Sequence, residues 1–360
     1  MKLNLEAPFN NLSFGNCSYN FAQQLYEKGV EVNIFPIGGN FDISAFAPDQ
    51  DFVRWLESSA NGRFKNYDNR PTLKLWHING AESCVGYGKK FLYTFYECDS
   101  PTSEELNIVQ GYDKVIFSSD DSKSKFKLNG SQNATSIPIG FDKSFKVLNK
   151  KYFDDSITHW VLCGKLEKRK NTERLIRIWL SKFANNPSHK LTCLINNQFM
   201  PKEQMSAIRE QIKNIAFNTQ ALDFLKTNAE MNDFYNSADI DLTGLSSAEG
   251  HNIPAFMVTA LGGWSIVMNH TGHKEWATKD NCILVEPESM RPIYDNLFFK
   301  EGQPFNQGNC YDVSDETIGR AMDLAFEKKG LENIEGLKLQ ESMSYSKTVD
   351  RILKEIQDYV

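Results

Sequence analysis

The stretch from Gly244 to Gly262 reads GLSSAEGHNIPAFMVTALG, small and polar in its first half and mostly apolar in its second. Pro254 suits the first turn of a helix, where the amide hydrogen that proline lacks would have no helical partner. The sequence therefore predicts a loop followed by a helix over Ala255 to Leu261. Free amides at the start of such a helix form an anion site, and Gly250 would let backbone approach a ligand closely. Taken alone, the pattern also fits a purely structural strand–loop–helix corner.

A second informative stretch, from Cys163 to Asn171, reads CGKLEKRKN. An apolar strand ends at Cys163, Gly164 provides a turn, four cations follow, and a helix begins. Cations held beside a strand end can neutralise a diphosphate and stabilise it as a leaving group. A solvated charged loop is the alternative interpretation.

The composition excludes several classes of protein. A net charge of -6 gives no overall basic footprint for nucleic acid, although a local basic patch stays possible. No apolar stretch approaches the roughly 20 residues of a membrane span. The seven cysteines contain no Cys-x-x-Cys pair, which argues against structural zinc. Several lie in apolar runs, which predicts buried free thiols, a reduced compartment and a cytoplasmic protein.

The order of predicted elements indicates the fold class. Strands over Lys2 to Ala7 and Val30 to Phe35 flank a helix around Phe21 to Tyr26, and such a unit favours a parallel sheet. A second series of strands and helices starts at Thr158. We expect an α/β protein with two doubly wound Rossmann-like domains that face an interdomain cleft, because such sheets bind ligands at their carboxyl ends.

The 360 residues exceed what one hydrophobic core usually serves. The charged stretch from Asp142 to Asp155 is the predicted linker. We predict an N-terminal acceptor-side domain over residues 1–145 and a C-terminal nucleotide-sugar domain over residues 146–340. A last helix in residues 341–360 is expected to pack back towards the first domain.

The two quoted stretches together resemble the retaining glycosyltransferases of the GT-B fold, specifically the family 4-like group. That group has a Gly-Arg-Leu-x-x-x-Lys-Gly/Asn element, where this chain places Lys165 at the Arg and Lys170 at the Lys. Its downstream Ser-x-x-Glu-Gly-x-x-x-Pro element matches Ser246 to Pro254. The resemblance runs through most of the chain in order and spacing.

The resemblance implies a set of donor-binding residues in the C-terminal half. Lys165 and Lys170 would stabilise the leaving diphosphate, and Glu249 would orient the sugar hydroxyls. The implied donor-binding residues are Gly164, Lys165, Lys170, Glu249, Gly250, His251, Asn252, Ile253 and Met257.

Met257 is a departure from the family pattern. It stands where the family has the second Glu of its Glu-x7-Glu pair, which holds the nucleotide ribose. A methionine side chain accepts no useful hydrogen bond from ribose hydroxyls. Ribose recognition is therefore rebuilt, loosened or lost in this chain.

The N-terminal half offers three softer candidates. A loop containing Gly15, ahead of the first predicted helix, resembles the family's glycine loop near the donor phosphates. His77 ends a strand where the family has a histidine that contacts the donor sugar, and a structural role is equally open. Glu97 would contact the acceptor or the sugar, or else act as a capping or salt-bridged carboxylate. The implied catalytic set is Glu249, His77, Lys165 and Lys170.

The reaction implied is hexosyl transfer from a nucleotide sugar, with a UDP-sugar favoured and the anomeric configuration retained. No metal or cofactor is expected. Asp239 and Asp241 spell an Asp-x-Asp motif, but both alternate with apolar residues in a predicted strand. The acceptor is open among glycans, lipids, small molecules and modified nucleic acid. Two alternatives remain: a catalytically impaired nucleotide-sugar-binding protein, and a GT-B sugar epimerase or phosphorylase.

Overall fold

A computed structural model describes residues 1–65, 68–148 and 156–359. The chain divides into two compact units. Unit 1 comprises Met1–Lys143, Gly302–Gln307 and Gln340–Val360, and unit 2 comprises Ser144–Glu301 and Gly308–Leu339. Residues 149–155 of the predicted linker lie outside the described residues.

Unit 1 is built on a six-stranded parallel sheet in the order β2-β1-β3-β4-β5-β6. Its strands are β1 (Lys2–Phe9), β2 (Glu31–Phe41), β3 (Thr72–Leu75), β4 (Lys90–Thr94), β5 (Lys114–Phe117) and β6 (Ala134–Ser136). Its first helices are α1 (Ser13–Glu27), α2 (Gln50–Gly62), α3 (Ser103–Gln110) and α4 (Asp120–Leu128). The central strands read as apolar runs because helices cover both faces of a parallel sheet.

Unit 2 contains a second six-stranded parallel sheet in the order β12-β11-β10-β7-β8-β9, and an antiparallel hairpin, β13-β14. Its strands are β7 (Thr158–Lys165), β8 (His189–Asn196), β9 (Thr219–Ala221), β10 (Ile240–Asp241), β11 (Trp264–Met268), β12 (Cys282–Val285), β13 (Ser289–Pro292) and β14 (Asn309–Asp312). Its helices are α5 (Thr172–Phe183), α6 (Lys202–Asn214), α7 (Asn228–Asn236), α8 (Ile253–Ala260), α9 (Asp315–Phe326) and α10 (Ile334–Leu337).

The chain returns to unit 1 through the short helix α11 (Leu339–Ser342) and ends in α12 (Tyr345–Gln357). Helix α12 buries Val349, Ile352 and Ile356 and lies against α1. The ring of Tyr345 meets that of Phe21 on α1 at 5.9 Å between centroids. The amphipathic pattern of α12 is thus explained by packing inside unit 1.

These two sheets confirm the predicted fold class of two doubly wound α/β domains. In each sheet the strand order reverses once, between β1 and β3 in unit 1 and between β7 and β10 in unit 2. Ligands of such sheets bind outside the carboxyl ends of the strands at this reversal. The segments that follow these four strands are therefore the places to look for function.

The predicted position of Gly15 in a loop is wrong. Helix α1 begins at Ser13, so Gly15 lies in its first turn. A Cβ atom on Gly15 would come within 2.0 Å of the carbonyl oxygen of Asn10. Glycine is needed there because the backbone after β1 passes directly against the helix.

No helix among the described residues is long and apolar enough to cross a membrane. No disulfide bond joins any of the seven cysteines, and six of them are buried, as the sequence predicts.

Candidate functional site

The two quoted stretches follow neighbouring strands. β7 leads into a 3-10 turn over Lys168–Lys170, and β10 leads into another over Thr243–Leu245. The two strands pair in parallel, with Ile240 opposite Trp160. Both stretches therefore leave the same edge of the sheet, at the reversal of strand order.

Hydrogen bonds join the two stretches directly. The amide of Ser247 donates to the carbonyl oxygen of Arg169 at 2.7 Å. The side-chain nitrogen of Asn171 donates to Leu245 O and to Ser247 Oγ, both at 2.9 Å. Asn171 has a left-handed backbone, with φ of 56°, which asparagine tolerates better than most residues.

Glu249 lies at the centre of this junction and is 4% exposed. Its Oε1 forms an ion pair with Lys170 and accepts a hydrogen bond from Ser246 Oγ at 2.5 Å. Arg169 Nη1 lies 3.5 Å from Oε2. Burial alone would raise the pKa of Glu249, but the positive charges of Lys170 and Arg169 outweigh it and lower that pKa. The carboxylate is therefore ionised at neutral pH.

Lys165 is more accessible than Lys170, with 40% of its side chain exposed against 14%. Its Nζ lies 3.0 Å from Glu167 Oε1 and 4.3 Å from the ring centre of Phe298. Glu167 also pairs with Arg169, with Nε 2.8 Å from Oε2. Burial opposes ionisation of Glu167, but Arg169, Lys165 and Lys170 hold its pKa below the usual range.

Each of the two predicted lysines thus has a carboxylate partner, yet positive charge remains in excess. Four cations stand against two carboxylates, namely Lys165, Lys168, Arg169 and Lys170 against Glu167 and Glu249. Such a cluster suits a ligand with two or more negative charges.

Backbone amides at the start of α8 add to this anion-binding character. Those of His251, Asn252 and Ile253 have no hydrogen-bond partner within the described residues. Asn252 precedes the helix in a left-handed conformation, with φ of 66°, and its side chain does not cap the helix. Gly272 packs against this loop, where a Cβ atom would lie 2.2 Å from the carbonyl oxygen of Gly250. The backbone of this loop at Gly250 is therefore in direct contact with Gly272.

Two histidines beside Glu249 are buried and neutral. Burial lowers the pKa of His251 to about 3 and that of His273 to about 4. His273 Nδ1 donates to Met268 O at 2.7 Å, so its Nε2 accepts from Asn252 Nδ2 at 3.0 Å. The two ring nitrogens of His251 are buried, and neither has a hydrogen-bond partner in the described part of the chain.

Met257 lies in the middle of α8 and is 2% exposed. The helix is buried from Ala255 through Ala260. A carboxylate at position 257 would therefore enter apolar surroundings.

In unit 1, the residues at the strand-order reversal are mainly aromatic. The ring of Phe14, in the first turn of α1, lies 4.4 Å from that of His77 and 5.1 Å from that of Phe95. His77 follows β3 and is exposed, whereas Glu97 follows β4 and is half-buried. The first turn of α1, which contains Gly15, therefore lies beside His77 at the carboxyl edge of this sheet.

No protein-family model matches the chain, and no curated protein matches its sequence. Solved structures do match. They include sucrose-phosphate synthase from Thermosynechococcus elongatus, at 10% identity and a TM-score of 0.71, covering 99% of this chain and 98% of that one. Anabaena HepE in complex with UDP-glucose matches at 13% identity and a TM-score of 0.68, covering 99% and 100%. A glycosyltransferase from Rickettsia africae matches at 12% identity and a TM-score of 0.65, covering 99% and 98%.

The chain has the GT-B fold.

Sequence reasoning missed two functional candidates of this GT-B chain. Arg169 is only 7% exposed and contacts both Glu167 and Glu249. A run of four cations in the sequence gives no indication that Arg169 is the buried one. Arg291, on β13, donates to Asn171 Oδ1 at 3.0 Å and to Ser247 Oγ at 3.2 Å. Its partners are 120 and 44 residues away, so no local pattern could reveal them.

Among the described residues, no group of three or more His, Cys, Asp or Glu side chains could hold a metal ion. The carboxylates of Asp239 and Asp241, which form the Asp-x-Asp sequence, accept hydrogen bonds from backbone amides instead. Asp239 Oδ2 accepts from the amide of His159 at 2.8 Å, and Asp241 Oδ1 from that of Thr243 at 2.9 Å.

Proposed function

We propose that this chain is a glycosyltransferase that transfers a hexose from a nucleotide sugar. A UDP-sugar is the favoured donor. One observation carries the proposal: Glu249, charged and buried, is paired with Lys170 beside free amides where the strand order reverses. The fold supports it, and the HepE structure of the same fold is a complex with UDP-glucose.

In this proposal the C-terminal domain, residues 146–340, binds the donor. Lys165, Lys170 and the excess positive charge stabilise the departing diphosphate, helped by the amides at the start of α8. Glu249 accepts hydrogen bonds from the sugar hydroxyls, since an ionised carboxylate is an acceptor only. Gly164 and Gly250 allow the backbone to approach the donor.

The N-terminal domain, residues 1–145, is proposed to serve the acceptor side. His77 and Glu97 would contact the sugar or the acceptor, and Gly15 would lie near the donor phosphates. The acceptor class stays open among glycans, lipids, small molecules and modified nucleic acid.

We further propose that transfer retains the anomeric configuration and needs no metal or cofactor. The cationic cluster would take the place of a metal at the leaving diphosphate. Retention without an enzyme nucleophile requires the acceptor to attack on the face from which the diphosphate departs.

A specific observation favours a second candidate, a nucleotide-sugar-binding protein with impaired catalysis. Met257 supplies no carboxylate for the ribose, and its surroundings are apolar. Sugar epimerases and phosphorylases of the same fold are separated from a transferase by analysis of the products.

A thermal-shift screen of nucleotides and nucleotide sugars tests donor binding. A ligand at 100 times its dissociation constant stabilises the folded state by about 2.7 kcal/mol. We expect a UDP-sugar to raise the unfolding temperature of the natural chain, and to do so less in Glu249→Gln. Failure of every nucleotide and nucleotide sugar to shift the unfolding temperature would overturn the proposal.

A further inference from the structure

The carboxyl edge of the unit 1 sheet bears an aromatic cluster, formed by Phe14, Trp76, His77 and Phe95. The centre of the Phe14 ring lies 5.7 Å from that of Trp76 and 5.1 Å from that of Phe95. It also lies 4.4 Å from the ring centre of His77. The three larger side chains are half-buried and His77 is exposed. Part of the cluster is therefore accessible to solvent at the edge where ligands of such sheets bind.

Three neighbouring strands hold this cluster in place. Phe14 lies in the first turn of α1, after β1, whereas Trp76 and Phe95 directly follow β3 and β4. The amide of Trp76 donates to Tyr93 O at 3.2 Å, which continues the pairing of β3 with β4. Gly80 has φ of 93°, and a Cβ atom there would come within 2.8 Å of Trp76 Nε1. The position of the indole therefore depends on the backbone around it.

The connections that leave the carboxyl ends of β1 to β5 are acidic. They comprise residues 10–12, 42–49, 76–89, 95–102 and 118–119, all of them described. Lys89 is their only lysine, and they contain no arginine. It directly precedes β4, at the opposite edge of the sheet, and pairs with Asp113 at 2.8 Å. The carboxylates in these connections are Asp42, Asp49, Glu82, Glu97 and Asp99.

The lysines of α4, the helix after β5, do not reverse this charge. Lys123 forms an ion pair with Asp120, and Lys125 forms one with Asp121 on the same helix. Recognition of a polyanion depends on lysine and arginine side chains that neutralise its phosphates, and like charges brought together repel. Unit 1 therefore differs from unit 2, where cations are in excess, and its edge suits an uncharged ligand.

An uncharged sugar matches both the rings and the carboxylates. The face of an aromatic ring is negative and attracts the weakly positive C–H groups of a pyranose. Sugar hydroxyls donate to carboxylates, and Glu97 and Asp99 follow Phe95 by two and four residues. A phosphorylated sugar or a nucleic acid would bring negative charge to an acidic edge. An acyl chain has no group that donates to a carboxylate.

We propose that the aromatic cluster binds the acceptor through Phe14, Trp76 and Phe95, and that the acceptor is an uncharged sugar. The inference rests on the proposed function and deepens it by naming the class of acceptor. It separates glycans from nucleic acid, lipids and phosphorylated small molecules.

Release of UDP from saturating UDP-glucose, measured with acceptors that differ by one phosphate group, is the test. Glucose, galactose, mannose and fructose are each compared with their 6-phosphates, and a single-stranded oligonucleotide and phosphatidylglycerol vesicles are added separately. We expect a neutral sugar to accelerate release more than its 6-phosphate does. The KM of that sugar should not change when the ionic strength rises from about 0.1 M to about 1 M. Greater acceleration by a 6-phosphate, the oligonucleotide or the vesicles, or none by any neutral sugar, would overturn the inference.

Trp76→Leu tests the aromatic cluster itself. It should raise the KM of the neutral sugar about fivefold to tenfold and leave the affinity for UDP-glucose, measured by calorimetric titration, unchanged. Trp55 is the matched control, because it is a half-buried tryptophan of unit 1 that lies on α2. Its ring centre is 5.5 Å from that of Tyr26 and 5.8 Å from that of Phe52. Trp55→Leu should leave the KM of the sugar unchanged.

The outcomes separate the two proposals. If the natural chain transfers sugar from UDP-glucose but a folded Trp76→Leu variant keeps the natural acceptor KM, the role of the cluster is overturned and the proposed function stands. If the natural chain binds no nucleotide sugar, both are overturned. Phe95→Leu replaces the tryptophan variant if that one does not fold, and it should raise the KM of the same neutral sugar.

Discussion

Lys165 and Lys170 differ in their surroundings, although the sequence suggests equal roles for them. Lys170 is largely buried against Glu249, and Lys165 lies at the surface against Glu167. The same positive charge therefore has different consequences for stability at the two positions.

Lys170→Ala should cost more stability than Lys165→Ala. Breaking a buried ion pair costs about 3–5 kcal/mol, and Arg169, 3.5 Å from Glu249, should hold the loss to the lower part of that range. Lys165 is the exposed member of its pair, and its buried partner Glu167 would still be paired with Arg169. The loss of Lys165 should therefore cost only about 0–1 kcal/mol. Urea denaturation of the two variants measures the difference.

Both variants should also lose turnover, by about 2–4 kcal/mol of transition-state stabilisation. Lys182→Ala is the control, because Lys182 forms a surface pair with Asp323 at 2.9 Å. Natural turnover in a folded Lys165→Ala, Lys170→Ala double variant would remove this site assignment.

The buried histidines give unit 2 a dependence on pH. His251 and His273 have pKa values of about 3 and about 4 in the folded chain, against about 6.5 in the unfolded chain. Below about pH 6.5 only the unfolded chain takes up these protons, so the free energy of unfolding must fall with falling pH. The slope is about 1.4 kcal/mol per pH unit for each histidine.

Urea denaturation between about pH 7 and about pH 5.5 measures this effect. Burial also lowers the pKa of His189, which adds the same contribution to the natural chain and to a variant at position 251. Glu249 changes the free energy of unfolding only at pH values below this range. Its pKa is lowered in the folded chain, so the stability that it provides is lost only at lower pH. His251→Phe should remove about half of the slope that the pair produces. An identical slope in the natural chain and in the variant would contradict the neutral, buried state of His251.

At the scale of single elements, the loop before α8 depends on the absence of a side chain at position 272. Gly272→Ala would drive a Cβ atom into the backbone of Gly250 and should cost about 1–3 kcal/mol. Gly319 is the matched control inside α9, where a Cβ atom meets only Lys182 Nζ at 3.9 Å. Gly319→Ala should stabilise the chain by about 0.5–1 kcal/mol. Thermal unfolding of both variants measures the contrast, and equal effects would argue against a tightly packed loop.

The middle of α8 is the place to restore the missing carboxylate. We expect Met257→Glu to tighten binding of nucleoside diphosphate, since a hydrogen bond to a charged group contributes about 1.5–3 kcal/mol. The side chain is buried, so its pKa would rise and the new group could be neutral. Calorimetric titration at neutral and at higher pH measures the affinity, with Met257→Gln as the uncharged control. Unchanged or weaker binding at both pH values would count against the ribose assignment.

The sequence was sufficient for elements whose pattern is local. Alternating apolar strands and amphipathic helices predict two doubly wound sheets, and Pro254 predicts the start of α8. The sequence was insufficient to predict contacts between segments that are distant from each other in the chain or belong to different elements. The placement of Gly15 inside α1 depends on the backbone of Asn10. The hairpin β13-β14 carries Arg291 to Asn171 and Ser247, a contact that no periodicity encodes.

At the scale of the whole molecule, the strand order explains why a site forms in unit 2. Lys170 and Glu249 are 79 residues apart, and they meet because β7 and β10 are neighbours at the reversal. The resemblance in sequence identified both stretches, but only the fold shows that Lys170 forms an ion pair with Glu249.

Activity should survive treatment with EDTA. The excess of positive charge beside Glu249 is proposed to stabilise the diphosphate without a metal. Turnover measured before and after chelation, and again after adding magnesium or manganese, tests this point. Complete loss on chelation with recovery on adding either metal would contradict a metal-free reaction.

Release of nucleoside diphosphate from a panel of nucleotide sugars, beginning with UDP-glucose and followed by proton NMR, tests the central claim most directly. The same spectra report the anomeric configuration of the product. The account predicts that the natural chain releases UDP, that the product keeps the configuration of the donor, and that a folded Lys165→Ala variant is at least about 30-fold slower. No release from any donor, or equal release by that variant, would contradict it.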